Sequence, residues 1–208
     1  PNSLGWPPSM TWDQRYATDT YVFGTAPSGF LTAHAGLIPH CARTLCVADG
    51  EGRNSVWLAQ QGCDVTAFDL SPNAIAKAAK LAKGAGVTPK FTVSTIEAWP
   101  WDATPYDLVV AVFIQFLNPA ERATVFDGIR RAVAPGGRLM LHGYTPKQVD
   151  YGTGGPGNPD FMYTETLLRD AFPDLTILRL DSYEKDLDEG AGHSGRSALI
   201  DLIADAPA

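Results

Sequence analysis

Cysteine, positive charge and long apolar runs are all scarce in this chain, and each shortage removes a class of function. Three cysteines occur among 208 residues, Cys41, Cys46 and Cys63. Their number is odd and their spacing is never CxxC, which argues against a disulfide framework or a cysteine zinc site and fits reduced, buried thiols in a cytoplasm. Lysine and arginine number 16 against 23 acidic residues, for a net charge of -7. Nucleic-acid binding needs clustered Lys and Arg to displace phosphate counterions, and no such cluster is present. The longest uncharged apolar run, Leu108 to Ala120, falls well short of the roughly 20 residues a membrane span needs. No basic-then-apolar leader opens the sequence, and Pro1 to Met10, with three prolines and no periodicity, reads as a flexible leader. The expectation is a soluble, cytoplasmic protein, a monomer or weak homodimer, with neither nucleic acid nor membrane among its partners.

What is present points to one α/β domain. Apolar residues make up 45% of the chain, enough for a single sizeable core at this length. From Arg43 onward strand-like and helical stretches alternate, with strands at about 44–49, 64–69, 90–94, 107–113 and 137–143. That alternation predicts a Rossmann-like, doubly wound, mostly parallel sheet. Two last strand-like runs, about 175–183 and 197–204, are expected to pair antiparallel. Asn118-Pro119-Ala120-Glu121 is a helix start, with a capping Asn, Pro at the first position and an acid able to reach back. Pro135-Gly136-Gly137 stops that helix, and a Gly/Pro-rich connection from Thr145 to Pro159 precedes a helix at about 164–172. Ahead of the alternation, residues 11–40 form two short aromatic-bearing helical stretches, read as a lid over the ligand crevice.

The organising stretch is Thr44 to Ser55: a buried strand, a turn too tight for side chains at Gly50 and Gly52, then a helix start. A second strand ends on Asp69, an acid placed to accept hydrogen bonds from both hydroxyls of a ribose. A nicotinamide-dinucleotide fingerprint wants a third glycine where Ser55 stands, which weakens that reading. Asp49 and Glu51 in the turn suit a cationic ligand and repel a pyrophosphate.

These segments resemble the class I S-adenosylmethionine-dependent methyltransferases, and within them the small tellurite-resistance branch related to thiopurine methyltransferase. The matching runs are Trp12-Asp13-Gln14-Arg15-Tyr16, Tyr21-Val22-Phe23-Gly24 with Pro27 and Phe30-Leu31, the Ala48 to Asn54 loop, Asp69-Leu70-Ser71, Ala134-Pro135-Gly136-Gly137, Tyr151 to Pro156, and Leu187-Asp188-Glu189-Gly190 with His193 and Gly195. The match covers nearly all of residues 11–208. It implies strand order 3-2-1-4-5-7-6 with the last strand antiparallel, and S-adenosylmethionine as cofactor with S-adenosylhomocysteine as product. It implies that Gly50 and Gly52, with Asp49, Glu51 and Asn54 around them, admit the methionine part of the cofactor. Asp69 would hold the ribose, Leu70, Thr95 and Ile96 the adenine, and Val112 and Phe113 the methyl-donor end, with Ser71 a further cofactor-binding residue. Most of the class has an acid where this chain has Ala48, so which carboxylate meets the cofactor's amino group stays open.

Methyl transfer needs positioning and water exclusion more than covalent help. Four histidines, His34, His40, His142 and His193, are candidate bases. The resemblance favours His193, with Arg196 nearby, as the catalytic pair; His142 is second, with a satisfied core histidine as its alternative reading. Trp12, Tyr16, Tyr21, Phe116, Tyr144 and Tyr151 are candidate substrate-pocket walls. The fourth strand carries no Asn/Asp-Pro-Pro-aromatic signature, and no carboxylate cluster for a metal is seen. The acceptor expected is therefore a small molecule such as a thiol or chalcogen oxyanion. A non-catalytic module binding S-adenosylmethionine or S-adenosylhomocysteine, and an NAD-type oxidoreductase, are the alternatives.

Overall fold

A computed structural model describes residues 10–208; the first nine residues, and with them nearly all of the expected leader, lie outside the described part. Seven strands form one sheet: β1 Arg43–Val47, β2 Asp64–Asp69, β3 Lys90–Val93, β4 Tyr106–Val112, β5 Val133–Tyr144, β6 Thr176–Asp188 and β7 Ser194–Asp205. Their order is β3-β2-β1-β4-β5-β7-β6, and β7 runs antiparallel to both neighbours while the β1–β5 half is parallel. The fold class expected from the sequence is the one observed. β6 and β7 run longer than their apolar runs, as a two-stranded ribbon that carries the 189–193 turn beyond the sheet edge.

Helices cover both faces. One carries α1 Trp12–Tyr16, α2 Gly29–Ala33, α3 Arg53–Gln60 and α4 Pro72–Ala85, and the other α5 Pro119–Ala132 and α7 Glu165–Ala171; the short α6 is Gln148–Tyr151. Alternation along β5 explains the two layers. Leu139 and Leu141 point into the larger core with Phe126, Ile129 and Leu168, whereas Met140 points into the core under Phe30, Leu31 and Leu58. Asn118 caps α5 through Oδ1, which accepts the N–H groups of Ala120 and Glu121, both at 3.0 Å.

The α1–α2 segment docks beside the turn that follows β1. Asp13 Oδ1 accepts the Asn73 N–H at 3.1 Å and Asp13 Oδ2 accepts the Asn73 side-chain amide at 3.0 Å, so α1 caps the start of α4 from outside. Glu51 accepts the Val22 N–H at 2.7 Å, and Asn54 Oδ1 accepts the Ser28 N–H at 2.9 Å. Asp13→Ala is expected to cost about 1 kcal/mol, the usual worth of a lost cap. Hydrogen exchange is expected to show α1 and the start of α4 loosening together; unchanged exchange in both would refute the docking role.

Candidate active site

Two non-glycine residues with left-handed backbone mark the rim of the sheet: Ala48 (φ 46°) directly after β1 and Phe113 (φ 56°) directly after β4. These strands are neighbours, with Val47 opposite Ala111. Strained residues of this kind persist where the surrounding structure holds them and gather at functional sites.

The glycine turn is built differently at its two glycines. At Gly50 (φ 60°) a Cβ would lie 3.0 Å from the Tyr16 hydroxyl, so the open face of that residue looks toward α1. At Gly52 (φ 88°) a Cβ would lie 2.6 Å from Ala78 Cβ, so the missing side chain lets α3 start against α4. The close approach to ligand expected at both glycines is met in this structure by the protein's own atoms, the Tyr16 hydroxyl at Gly50 and the α4 helix at Gly52.

Three carboxylates converge on this turn. Asp69, 6% exposed, accepts the Gly50 N–H on Oδ2 and the Ser71 N–H on Oδ1, both at 2.9 Å. A carboxylate offers about four lone-pair positions, so two backbone donors leave capacity for two ligand hydroxyls. Glu51 is held by the Val22 N–H and by Lys77 Nζ at 3.2 Å. Asp49 accepts a short hydrogen bond from the Ser55 hydroxyl. Burial raises all three, with hydrogen bonds partly opposing it, and Asp49 is pushed up to about 7, the nearby charge of Asp69 adding to the effect. Tyr16 feels the same field, its phenol raised by burial and then by Asp69, Glu51 and Asp49.

From Tyr16 a layer of rings leads across the crevice. Tyr16 and Phe23 lie 6.4 Å apart between centroids, Phe23 stacks on His193 at 4.5 Å, and Phe113 stacks on the other face of His193 at 4.0 Å. The His193 ring is thus sandwiched, and its Nδ1 lies 2.6 Å from the Tyr144 hydroxyl. Burial, then the charges of Arg53 and His142, push the His193 imidazole well below its usual range. The ring is neutral at physiological pH. Glycines make the sandwich possible: a Cβ on Gly192 would lie 2.0 Å from the Phe23 ring, and one on Gly155 2.7 Å from the Tyr144 ring.

Of the residues expected at the site, Asp49, Gly50, Asp69, Ser71, Tyr16, Trp12, Phe113, Tyr144 and His193 are brought together around this crevice, and Leu70, 40% exposed, offers an apolar surface beside Asp69. Val112, half-buried, ends β4 at its rim. The others are placed elsewhere. Arg196 pairs with Glu184 on β6 at 3.1 Å and stands in solvent, because strand alternation sends it to the outer side of the ribbon. Tyr151 donates to the same Glu184 at 2.6 Å. Phe116 and Ile96 pack on the larger core, and Thr95 Oγ1 accepts the Ala98 N–H at 3.2 Å. Tyr21 donates to the Lys77 carbonyl at 2.9 Å, and Glu51 and Asn54 fasten the α1–α2 segment instead of facing the crevice. Phe23 is the site residue that sequence reasoning passed over. Its signal was the Gly190-Ala191-Gly192 run, whose glycines make room for it.

Residues 44–137 match the family model described as a methyltransferase domain. The matched residues run from β1 to the start of β5, so they contain the glycine turn, Asp69 and Phe113. An uncharacterized protein of Mycobacterium tuberculosis is 29% identical over 151 residues, 71% of this chain and 55% of the relative. The chain spans about half the length of the curated relatives it matches. Among solved structures, one concerned with conversion of a disulfide bond into a thioacetal group during echinomycin biosynthesis superposes with TM-score 0.76 at 20% identity, covering 94% of this chain and 91% of the other. TehB from Haemophilus influenzae gives 0.71 at 21%, covering 94% and 65%. The N-methyltransferase NodS from Bradyrhizobium japonicum, solved with S-adenosyl-L-homocysteine, gives 0.70 at 18%, covering 95% and 97%. These likenesses show that the seven-stranded sheet and its helices share one fold with those structures. Among the described residues no helix is long and apolar enough to cross a membrane, and no group of three or more His, Cys, Asp or Glu is placed to hold a metal ion.

Proposed function

We propose that this protein transfers a methyl group from S-adenosylmethionine to a small-molecule nucleophile, with thiols and chalcogen oxyanions as leading acceptors. The observation that carries this reading is that Asp49 and Asp69 meet at the glycine turn, each raised by burial. Asp49 and Asp69 are held by the Ser55 hydroxyl and backbone N–H groups, with no Lys or Arg in ion-pair contact among the described residues, and a ligand bearing a sulfonium and an ammonium supplies a positive partner. A pyrophosphate in the same place would be repelled, which disfavours a nicotinamide cofactor. The donor set therefore fits the cofactor.

Within this reading, Asp69 takes the ribose hydroxyls and Leu70 flanks the adenine. Glu51 is engaged by Val22 and Lys77. Asp49, with Ser55 as its side-chain partner, is the carboxylate this reading assigns to the amino group. When bound, the cofactor supplies an electrophilic methyl group. The α1–α2 segment, residues 11–40, excludes water from the crevice, and the His193 sandwich forms the acceptor-side wall next to Phe113. TehB and the echinomycin-related structure support the tellurite-resistance-like branch and a sulfur-type acceptor by analogy of fold. The test is incubation with isotopically labelled methyl donor and a panel of thiols, selenite, tellurite and phenols, read by mass spectrometry. Gain of one labelled methyl on a panel member is expected, and no gain from protein shown to be folded and cofactor-bound would favour the non-catalytic alternative.

A further inference from the structure

Beneath α2, on the same sheet face as the crevice, lies a cavity of about 190 Å³ whose lining includes Phe30, His34, His142, Arg179, Lys185 and Asp201. His142 and Asp201 sit opposite each other on β5 and β7, both 1% exposed, and His142 Nδ1 is 2.7 Å from Asp201 Oδ1. Asp201 also receives the Arg179 Nε–H at 2.9 Å and the Tyr183 hydroxyl at 3.0 Å, and His34 Nε2 lies 3.5 Å from it. An ionised carboxylate only accepts hydrogen bonds, so in the neutral ring the proton sits on Nδ1 and Nε2 presents its lone pair. That Nε2 is buried and has no hydrogen-bond partner among the described residues.

An unmet buried acceptor costs roughly 1–3 kcal/mol, a cost removed when a ligand donates to it. The arrangement is a base, its orienting acid and a space beside them. The His142 ring is held by Phe30, parallel at 4.9 Å, and by Phe113, edge-on at 4.9 Å. Phe113 is the residue that also stacks on His193 at the rim of the crevice. At the other end of the cavity Glu189 bonds Arg53, the residue after Gly52, at 2.8 Å. The cavity thus adjoins the proposed cofactor cradle at two points.

We propose that this cavity receives the methyl acceptor and that His142 Nε2, oriented by Asp201, is the general base. The inference rests on the methyl-transfer reading and replaces its leading acceptors, thiols and chalcogen oxyanions, with another small-molecule class. Thiols and oxyanions are nucleophilic near neutral pH with little help, whereas a phenol with a pKa near 10 needs a base. A cavity of roughly 150 Å³ holds benzene, so 190 Å³ suits one substituted ring. Lys185, exposed and without an ion-pair partner among the described residues, stands in the lining and suits an anionic substituent. The acceptor class is a single-ring phenol carrying one negative group. In the step, the phenolic oxygen forms a bond to the methyl carbon as the donor's carbon–sulfur bond breaks and leaves its electron pair on sulfur. The phenolic proton passes to His142 Nε2.

The test uses the full chain with 3- and 4-hydroxybenzoate as probes and S-adenosylhomocysteine measured separately, both by calorimetry. One hydroxybenzoate is expected to bind in the millimolar range or tighter, and Lys185→Met is expected to weaken it about tenfold. With labelled methyl donor, His142→Gln is expected to keep binding within about threefold while methyl-ether formation falls at least 100-fold. Binding of S-adenosylhomocysteine without either hydroxybenzoate, or undiminished turnover by a folded His142→Gln variant, overturns the base and pocket assignment and leaves the methyltransferase reading intact. Binding of a hydroxybenzoate without S-adenosylhomocysteine overturns that reading and the base assignment with it.

Discussion

Asp49→Asn is expected to weaken binding of S-adenosylhomocysteine about 100-fold and, in the same protein, to raise the stability of the ligand-free form at pH 8. The two effects share one cause. Burial raises the Asp49 carboxyl to about 7 from an ordinary value of 3.8. A carboxyl raised on folding adds stability fully present below its unfolded value, and that contribution disappears as pH rises from about 4 through 7. At pH 8 the ionised group therefore strains the ligand-free protein by on the order of 2–4 kcal/mol. Asparagine keeps an oxygen to accept from Ser55 while carrying no charge, so the strain goes and the attraction for a cation goes with it. Thermal unfolding is expected to show a midpoint roughly 5 °C higher for the variant at pH 8. At pH 5 the gain is expected to fall to less than half, and below pH 3.8, where the carboxyl is protonated in the folded and largely in the unfolded chain, to nearly vanish. A variant as tight-binding as wild type would remove Asp49 from the cradle, and equal stability at pH 8 and pH 5 would show that its carboxyl is not raised.

Gly52→Ala is expected to cost about 3 kcal/mol or more, the largest stability effect of any single methyl group in the turn. The added Cβ would stand 2.6 Å from Ala78 Cβ and 2.9 Å from its Cα, in a backbone with φ 88° that non-glycine residues rarely adopt. Neither neighbour is the far end of a flexible side chain, so relief requires α3 and α4 to separate. At Gly50 the obstacle is the Tyr16 hydroxyl at 3.0 Å, which can move with α1. Gly50→Ala is therefore expected to be the milder of the two in urea unfolding and the more damaging to cofactor binding relative to its stability cost. The reverse order in unfolding would contradict the packing role given to Gly52.

Much of the fold was legible because it rests on local patterns. The β1–β5 alternation, the turn at Gly50 and Gly52 and the cap at Asn118 each announce themselves within a few residues. The meeting of Asp49, Gly50 and Asp69 was legible for the same reason, since they stand at or just past the ends of neighbouring strands β1 and β2. What stayed hidden depends on long-range register. His142 and Asp201 meet because β5 and β7 pair with those positions opposite, and nothing within either strand shows it. Glu51 carries the charge that suits a cofactor, yet its partners Val22 and Lys77 come from segments whose docking the sequence does not display. Arg196 misleads because it lies three positions from His193, but a strand begins between them at Ser194. Tyr151 reads as a pocket aromatic until β6 supplies Glu184 to its hydroxyl.

The central claim is that the glycine turn and its buried acids form a cradle for a positively charged sulfur nucleoside, and pH-dependent calorimetry with S-adenosylhomocysteine tests it most directly. One molecule is expected to bind per folded chain, with affinity about tenfold weaker at pH 6 than at pH 8 as Asp49 takes up its proton. Absence of binding by a protein that still melts cooperatively, or binding that survives Asp69→Ala and Asp49→Asn unchanged, would contradict it.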